Sequence, residues 1–162
     1  MIVVVSDTSP IRALHHLDLL ALLPAQFDRI LVPPAVLNEL ARPSSQFPSV
    51  PPDAIPFVEV VAPLNQQLVK ELLLSVHLAE AEAIALAVEI EGAGILIDEA
   101  DGRSKADKLG LRVIGTYRVL LDAKEAGFVP EVMPLVQRLV DELNFFTSPI
   151  LVDRIRLLAN ET

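Results

Sequence analysis

The chain contains no cysteine, no tryptophan and a single tyrosine among 162 residues. Without thiols there is no disulfide, no thiolate metal ligand and no cysteine nucleophile, so a disulfide-stapled secreted fold is excluded. Any metal has to be held by oxygen or by the three histidines. The few glycines carry no phosphate-binding loop or dinucleotide fingerprint, because Gly92, Gly94 and Gly102 lack the required spacing. No apolar run approaches the roughly 20 residues of a membrane helix. Met1 to Val5 is apolar, but Asp7 follows with no basic segment before it and no small-residue cleavage pattern. The expected address is cytoplasmic, with no membrane partner. Positive charge is also scarce: 13 Lys and Arg stand against 22 Asp and Glu, a net charge of -9, which discourages unspecific binding to nucleic acid.

What is present is a core. With 52% hydrophobic and 22% charged residues the chain lies far from the disordered regime, and its length is that of one domain, expected over residues 1–162. Ile2 to Val5 is a continuous β-branched run that reads as a strand covered on both faces. Ser9-Pro10 reads as an N-cap and first helical position, with Ile11, Leu14, Leu17 and Ala21 following at helical spacing. Arg29 to Val32 is a second strand, and Pro33-Pro34 opens a short helix with Val36, Leu37 and Leu40 around Glu39. Five prolines between Pro43 and Pro56 mark a loop.

The alternation then repeats. Strands are expected at Phe57 to Val61, Ile95 to Ile97 and Arg112 to Ile114, and helices at Asn65 to Ser75, Ala79 to Glu91, Asp101 to Leu109, Thr116 to Ala126 and Pro130 to Leu143. A last helix opens at Ser148-Pro149 and runs to about Ala159, with Ile150, Leu151, Ile155 and Leu158 expected in the core. Strands alternating with helices predict an α/β fold, a mostly parallel sheet between helix layers, with ligands bound beyond the carboxyl ends of the strands.

Asp7 and Asp98 fall at such ends, and Glu39 and one of Glu80 and Glu82 lie on helices that face them. Like charges converging in a cleft repel, so the cluster calls for a cation or a bound proton. Carboxylates with few histidines suit Mg²⁺ or Mn²⁺, whose chemistry is to activate water and neutralise a phosphodiester. Glu80 shares its helix face with the apolar Ala83, Ile84 and Ala87, whereas Glu82 shares its face with Ala85, Leu86 and Glu89, so Glu80 is the one expected to point inward. The competing reading makes both glutamates surface acids, Asp7 an N-cap and Asp98 a turn residue. Between Arg103 and Lys124 six cations stand against Asp107 and Asp122, a local +4 that reads either as a solvated helix pair or as a phosphate-facing strip.

Five segments in order carry a resemblance: Ser6-Asp7-Thr8-Ser9-Pro10, Val32-Pro33-Pro34-Ala35-Val36 to Glu39, the helix Ala79 to Ala87, Leu96-Ile97-Asp98-Glu99, and Val113-Ile114-Gly115-Thr116. Together they resemble the PIN-domain family, and more narrowly its subfamily with an Asp-Thr-Ser-Pro opening, related to toxin nucleases of VapC type. The resemblance implies a three-layer α/β/α sandwich and a metal-dependent ribonuclease, with Asp7, Glu39, Glu80 and Asp98 at the catalytic positions. Asp7, Asp98 and Glu80 would hold Mg²⁺ or Mn²⁺, and Thr8 and Ser9 would orient Asp7 or a metal-bound water. Ala79 stands where the subfamily usually has Gly. A further acid, Glu99 or Asp101, would serve a second metal.

On this reading water attacks an RNA phosphodiester in line and leaves a 5′-phosphate and a 3′-hydroxyl. Arg103, Lys105 and Arg118 are the expected RNA-phosphate contacts. A stacking platform for bases is not expected, since only Tyr117 of the seven aromatics lies near the basic strip. His15, His16 and His77 are expected at the surface or in packing, not as ligands. The implied role is an RNA-cutting enzyme, with the toxin of a type II toxin–antitoxin pair as its sharper form. An antitoxin protein and a second copy of the chain are then expected as partners. The alternative is a catalytically inactive PIN-like module that binds RNA or protein.

Overall fold

The computed structural model describes residues 1–145 and 147–162. The chain falls into two compact units, Met1–Gly115 and Thr116–Thr162.

The first unit is built on five parallel strands: β1 (Val3–Ser6), β2 (Arg29–Val32), β3 (Val58–Val60), β4 (Gly94–Leu96) and β5 (Arg112–Ile114). Their order is β3-β2-β1-β4-β5, with Val4 opposite both Ile30 and Gly94. Val4, Val5 and Ser6 are buried one after another, as are Ile30, Leu31 and Val32, so both faces of the central strands are covered. This is the expected α/β architecture, an all-parallel sheet flanked by helices. The order reverses between β1 and β4, which makes the carboxyl ends of these two strands the topological switch point.

The helices of this unit are α1 (Thr8–His16), α2 (Leu22–Gln26), α3 (Pro34–Ala41), α4 (Gln66–Leu72), α5 (Leu78–Glu89) and α6 (Ala100–Lys108). Helix α5 is alanine-rich and buried nearly all round, packing on α3, α4, α6, β1 and β4. Small side chains allow those close approaches and favour the helix intrinsically. A single 3₁₀ turn at Pro52–Ala54 interrupts the proline-rich loop.

Two local expectations are corrected. The first helix starts two residues earlier than Ser9-Pro10 indicates, with Asp7 at the N-cap position in extended backbone, and its side chain makes no cap hydrogen bond. The same helix stops at His16 instead of running to Ala21. Asp18 adopts the left-handed conformation (φ 57°), with Asp18 N donating to His15 O and Leu19 N donating to Leu14 O at 2.8 Å. That is a Schellman turn with Asp in the place glycine usually takes, so the sequence shows no glycine signal for it.

The second unit holds α7 (Thr116–Glu125), α8 (Met133–Leu143) and α9 (Pro149–Ala159), with α9 packing on both others. Val136, Leu139 and Leu143 of α8 are buried as their spacing predicts. Helix α9 departs from expectation: Ile155 and Ala159 are buried, but Ile150 is 83%, Leu151 36% and Leu158 54% exposed. Its inward stripe is the i, i+4 pair alone. Glu161 closes this unit, accepting hydrogen bonds from Val132 N (2.8 Å), Met133 N (2.9 Å) and Lys124 Nζ (2.9 Å).

Candidate functional site

A cleft of about 520 Å³ opens in the first unit, lined by Asp7, Thr8, Ser9, Glu39, Glu80 and Glu99 together with Arg12, Arg42, Phe47 and His77. Each acid arrives from a separate element. Asp7 follows β1, and its backbone N–H donates to Leu96 O of β4 at 2.9 Å, which ties it to the switch point. Glu39 stands near the end of α3, Glu80 in the first turn of α5, and Glu99 at the N-cap position of α6. Asp98, at the exit of β4, is close enough to Asp7 for its charge to act on it.

Asp7 is the centre of this arrangement. It is only 3% exposed, and its Oδ1 is buried without a hydrogen-bond partner, as is Thr8 Oγ1. Burial pushes its carboxyl up to about 8 from the ordinary 3.8. The Thr8 backbone N–H opposes that rise, while the charges of Glu80, Glu39 and Asp98 add to it. The Thr8 hydroxyl makes no hydrogen bond to Asp7, whose carboxyl accepts from the Thr8 backbone N–H instead. Glu80, 7% exposed, is also raised, first by burial and then by Glu99, against the lowering pull of His77 and its backbone N–H. That N–H links N-cap and N3 positions in one half of a capping box.

The two candidate glutamates of α5 separate cleanly. Glu80 faces the cleft, while Glu82 Oε1 accepts from Ala35 N at 3.0 Å and satisfies a free donor in the first turn of α3. Asp101 is exposed in the first turn of α6 and does not line the cleft.

Of the expected phosphate contacts, Arg103 turns back on its own backbone, donating from Nη1 to Ile97 O at 3.0 Å. Lys105 is half-buried on α6. In the second unit Arg118 pairs with Asp122 at 3.1 Å, an ordinary surface i, i+4 pair.

Arg12, Arg42 and Phe47 line the cleft and escaped the sequence reading, and the exposed His77, expected at the surface or in packing, lines it as well. Two glycines also escaped that reading. A Cβ at Gly102 would stand 2.8 Å from Glu80 Oε2 and 2.5 Å from Ile97 Cδ1, and one at Gly115 2.7 Å from Arg103 Nη1 and 3.4 Å from Asp98 Oδ1. Gly102 lets the Glu80 carboxylate sit against backbone, and Gly115 lets the Arg103 guanidinium do so. Only the contact across elements reveals this; nothing in the local sequence does.

A family model described as PIN domain matches residues 3–161. The chain belongs to the PIN domain family. Members of that family are usually nucleases, and PIN domains typically bind Mg²⁺ or Mn²⁺. No curated protein and no solved structure matches the chain significantly.

The PIN-domain cleft suits a hard divalent cation on its own chemistry. Its donors are carboxylate and hydroxyl oxygens, and the unpartnered Asp7 Oδ1 is a buried lone pair with no proton donor to meet it. Among the described residues no three His, Asp or Glu groups already stand together as a ligand cluster. No described helix is long and apolar enough to cross a membrane.

Proposed function

We propose that this PIN domain is a Mg²⁺- or Mn²⁺-dependent ribonuclease that hydrolyses RNA phosphodiester bonds. The observation that carries the reading is Asp7, a buried carboxylate with an orphaned oxygen among three further acids. Such a group is tolerable beside Glu39, Glu80 and Asp98 only with a proton or a cation. Asp7, Glu80 and Asp98 would hold the ion, and Glu39 would complete the set. When bound, the cation supplies activation of water and neutralises charge on the phosphate. Glu39, beside the three acids that would hold the ion, would assist the transfer of a proton from the attacking water. Water oxygen bonds to phosphorus as the bond to the 3′-oxygen breaks, and the departing oxygen takes up a proton. A 5′-phosphate and a 3′-hydroxyl result.

The role of toxin in a toxin–antitoxin pair belongs to the same proposal, with an antitoxin protein and a second copy of the chain as partners. The exposed Ile150, Leu157 and Leu158 of α9 support a protein partner. A second reading, a module that binds without cutting, draws on the lack, among the described residues, of three acids already at ligand spacing.

One experiment separates the two readings: end-labelled RNA incubated with wild type and with Asp98→Asn, each with Mn²⁺ and with EDTA. Cutting that needs both Mn²⁺ and Asp98 supports the nuclease. Equal background from both proteins supports the binding module.

A further inference from the structure

The loop that follows α3 brings an aromatic ring and a cation into the same cleft as the acids. Phe47 is half-buried yet lines the cleft, and its ring is held in place. The Arg12 guanidinium lies over it, 5.1 Å from the ring centroid. Ser44 closes the turn that presents it: Ser44 N donates to Phe47 O at 2.8 Å, and Ser44 Oγ accepts from Phe47 N at 2.9 Å and from Gln46 N at 3.3 Å. Arg12 also donates to Glu39 O (2.6 Å), Pro48 O (3.2 Å) and Arg42 O (3.4 Å), which ties the loop to the end of the helix that carries Glu39. The ring is thus pre-organised relative to a site acid, and little freedom remains to be lost on binding.

Two guanidinium groups line the cleft, and they differ. Arg12 is occupied by the three carbonyls and the ring, whereas Arg42 is exposed and forms no ion pair among the described residues. In a chain of net charge -9, with four acids lining this cleft, general attraction cannot hold a polyanion there. Local contacts must do it, and a ring that stacks bases of any identity beside a cation that meets a phosphate is the recurrent solution for unpaired strands.

We infer that residues 42–47 form a subsite for one unpaired nucleotide of the RNA, Phe47 stacking on its base and Arg42 meeting the adjoining phosphate. The inference rests on the nuclease reading of the cleft. It also reverses the expectation of no stacking platform: the platform lies on the proline-rich loop and not beside Tyr117.

The test uses a fluorescein-labelled single-stranded RNA octamer. Binding is measured by anisotropy in Ca²⁺ with full-length Asp98→Asn, alone and combined with Phe47→Leu, Phe47→Trp or Arg42→Gln. The same three substitutions are placed in active protein and assayed for cleavage in Mn²⁺. The Mn²⁺-induced rise in Tm of the three substitutions in active protein, equal to that of wild type, certifies that each leaves the chain folded around an intact acidic cleft. Phe47→Leu is expected to weaken octamer binding about tenfold and to raise KM correspondingly, with a smaller fall in kcat. Phe47→Trp restores both. Arg42→Gln weakens binding and lowers the salt dependence by about 0.7 of a logarithmic unit per logarithm of salt.

Binding and KM unmoved by Phe47→Leu and Arg42→Gln, with cleavage still dependent on Mn²⁺ and Asp98, would overturn the subsite and leave the nuclease standing. Octamer binding that depends on Phe47 and Arg42 without any Asp98-dependent cutting would do the reverse. Equal loss in Phe47→Leu and Phe47→Trp would reduce Phe47 to a strut for the loop and sink the proposal.

Discussion

A carboxyl group whose buried oxygen accepts nothing keeps its proton in the folded chain and releases it easily in the unfolded one. Asp7, at about 8 against 3.8, is such a group, so its favourable contribution is complete below pH 3.8 and is lost as pH rises through 8. Metal-free wild type should therefore lose stability over that interval. Asp7→Asn removes the titration, and at pH 8 it should be the more stable protein by on the order of 1–3 kcal/mol while losing the rise in Tm with Mn²⁺. Thermal melts from pH 4 to 8 check this, and a variant that melts below wild type at pH 8 contradicts it. Gly102 makes a second prediction at this scale. A methyl group there meets Glu80 Oε2 and Ile97 Cδ1, so Gly102→Ala should cost about 1–3 kcal/mol through overpacking and blunt the Mn²⁺ response several-fold by displacing the carboxylate. An unchanged Mn²⁺ titration would show that Glu80 does not depend on that close approach. The convergence of Asp7, Glu39 and Glu80 on one cleft was legible from their strand-end and helix-face positions, whereas Asp98 acts on Asp7 without lining that cleft. Gly102 was not legible, because its role is a distance to another element, and Arg12 was not, because its partners are backbone carbonyls 27 to 36 residues away.

Between elements, the two glutamates of α5 do different work from positions two residues apart. Glu82 serves the N-terminus of α3 through Ala35 N, so Glu82→Ala leaves a helix donor without its charged acceptor and should cost about 1 kcal/mol. Its Mn²⁺-induced shift in Tm should remain that of wild type, whereas Glu80→Gln should abolish it. Parallel calorimetry of the two variants decides the assignment, and the opposite pattern would place Glu82 in the cleft. Most elements were legible because their signals are local: β2 and β5 have the observed bounds, and α3 and α9 open at proline after an extended residue as the proline signals foretell. The end of α1 was hidden because Asp18 takes a left-handed turn without glycine, and α2 followed it unannounced. The strand order β3-β2-β1-β4-β5 has no local signal either. It is fixed by which β-branched runs bury both faces, and that is a property of the assembled sheet.

On the scale of the whole molecule, the family match reaches residue 161, and the second unit shows a physical reason for the chain to hold its form that far. Glu161 gathers two backbone donors at the start of α8 and the ammonium of α7, while Lys124 Nζ also donates to Ala159 O. One carboxylate thus closes three helices without a disulfide, in a chain that has no cysteine to make one. Burial alone would raise the Glu161 carboxyl, but the bonds from Val132, Met133 and Lys124 outweigh it and hold the group below its ordinary value of 4.5. The sign is opposite to that of Asp7: the stabilisation is present above pH 4.5 and is lost as pH falls through the depressed value. Glu161→Gln should speed amide exchange at Val132 and Met133 several-fold at neutral pH, because the charge-assisted bonds become neutral ones. At acid pH, as the wild-type carboxyl takes up its proton below the ordinary range, the wild type should approach the variant. Hydrogen exchange at the two pH values measures the difference, and equal protection of the two proteins at neutral pH would show that the first turn of α8 is held by its packing and not by this carboxylate.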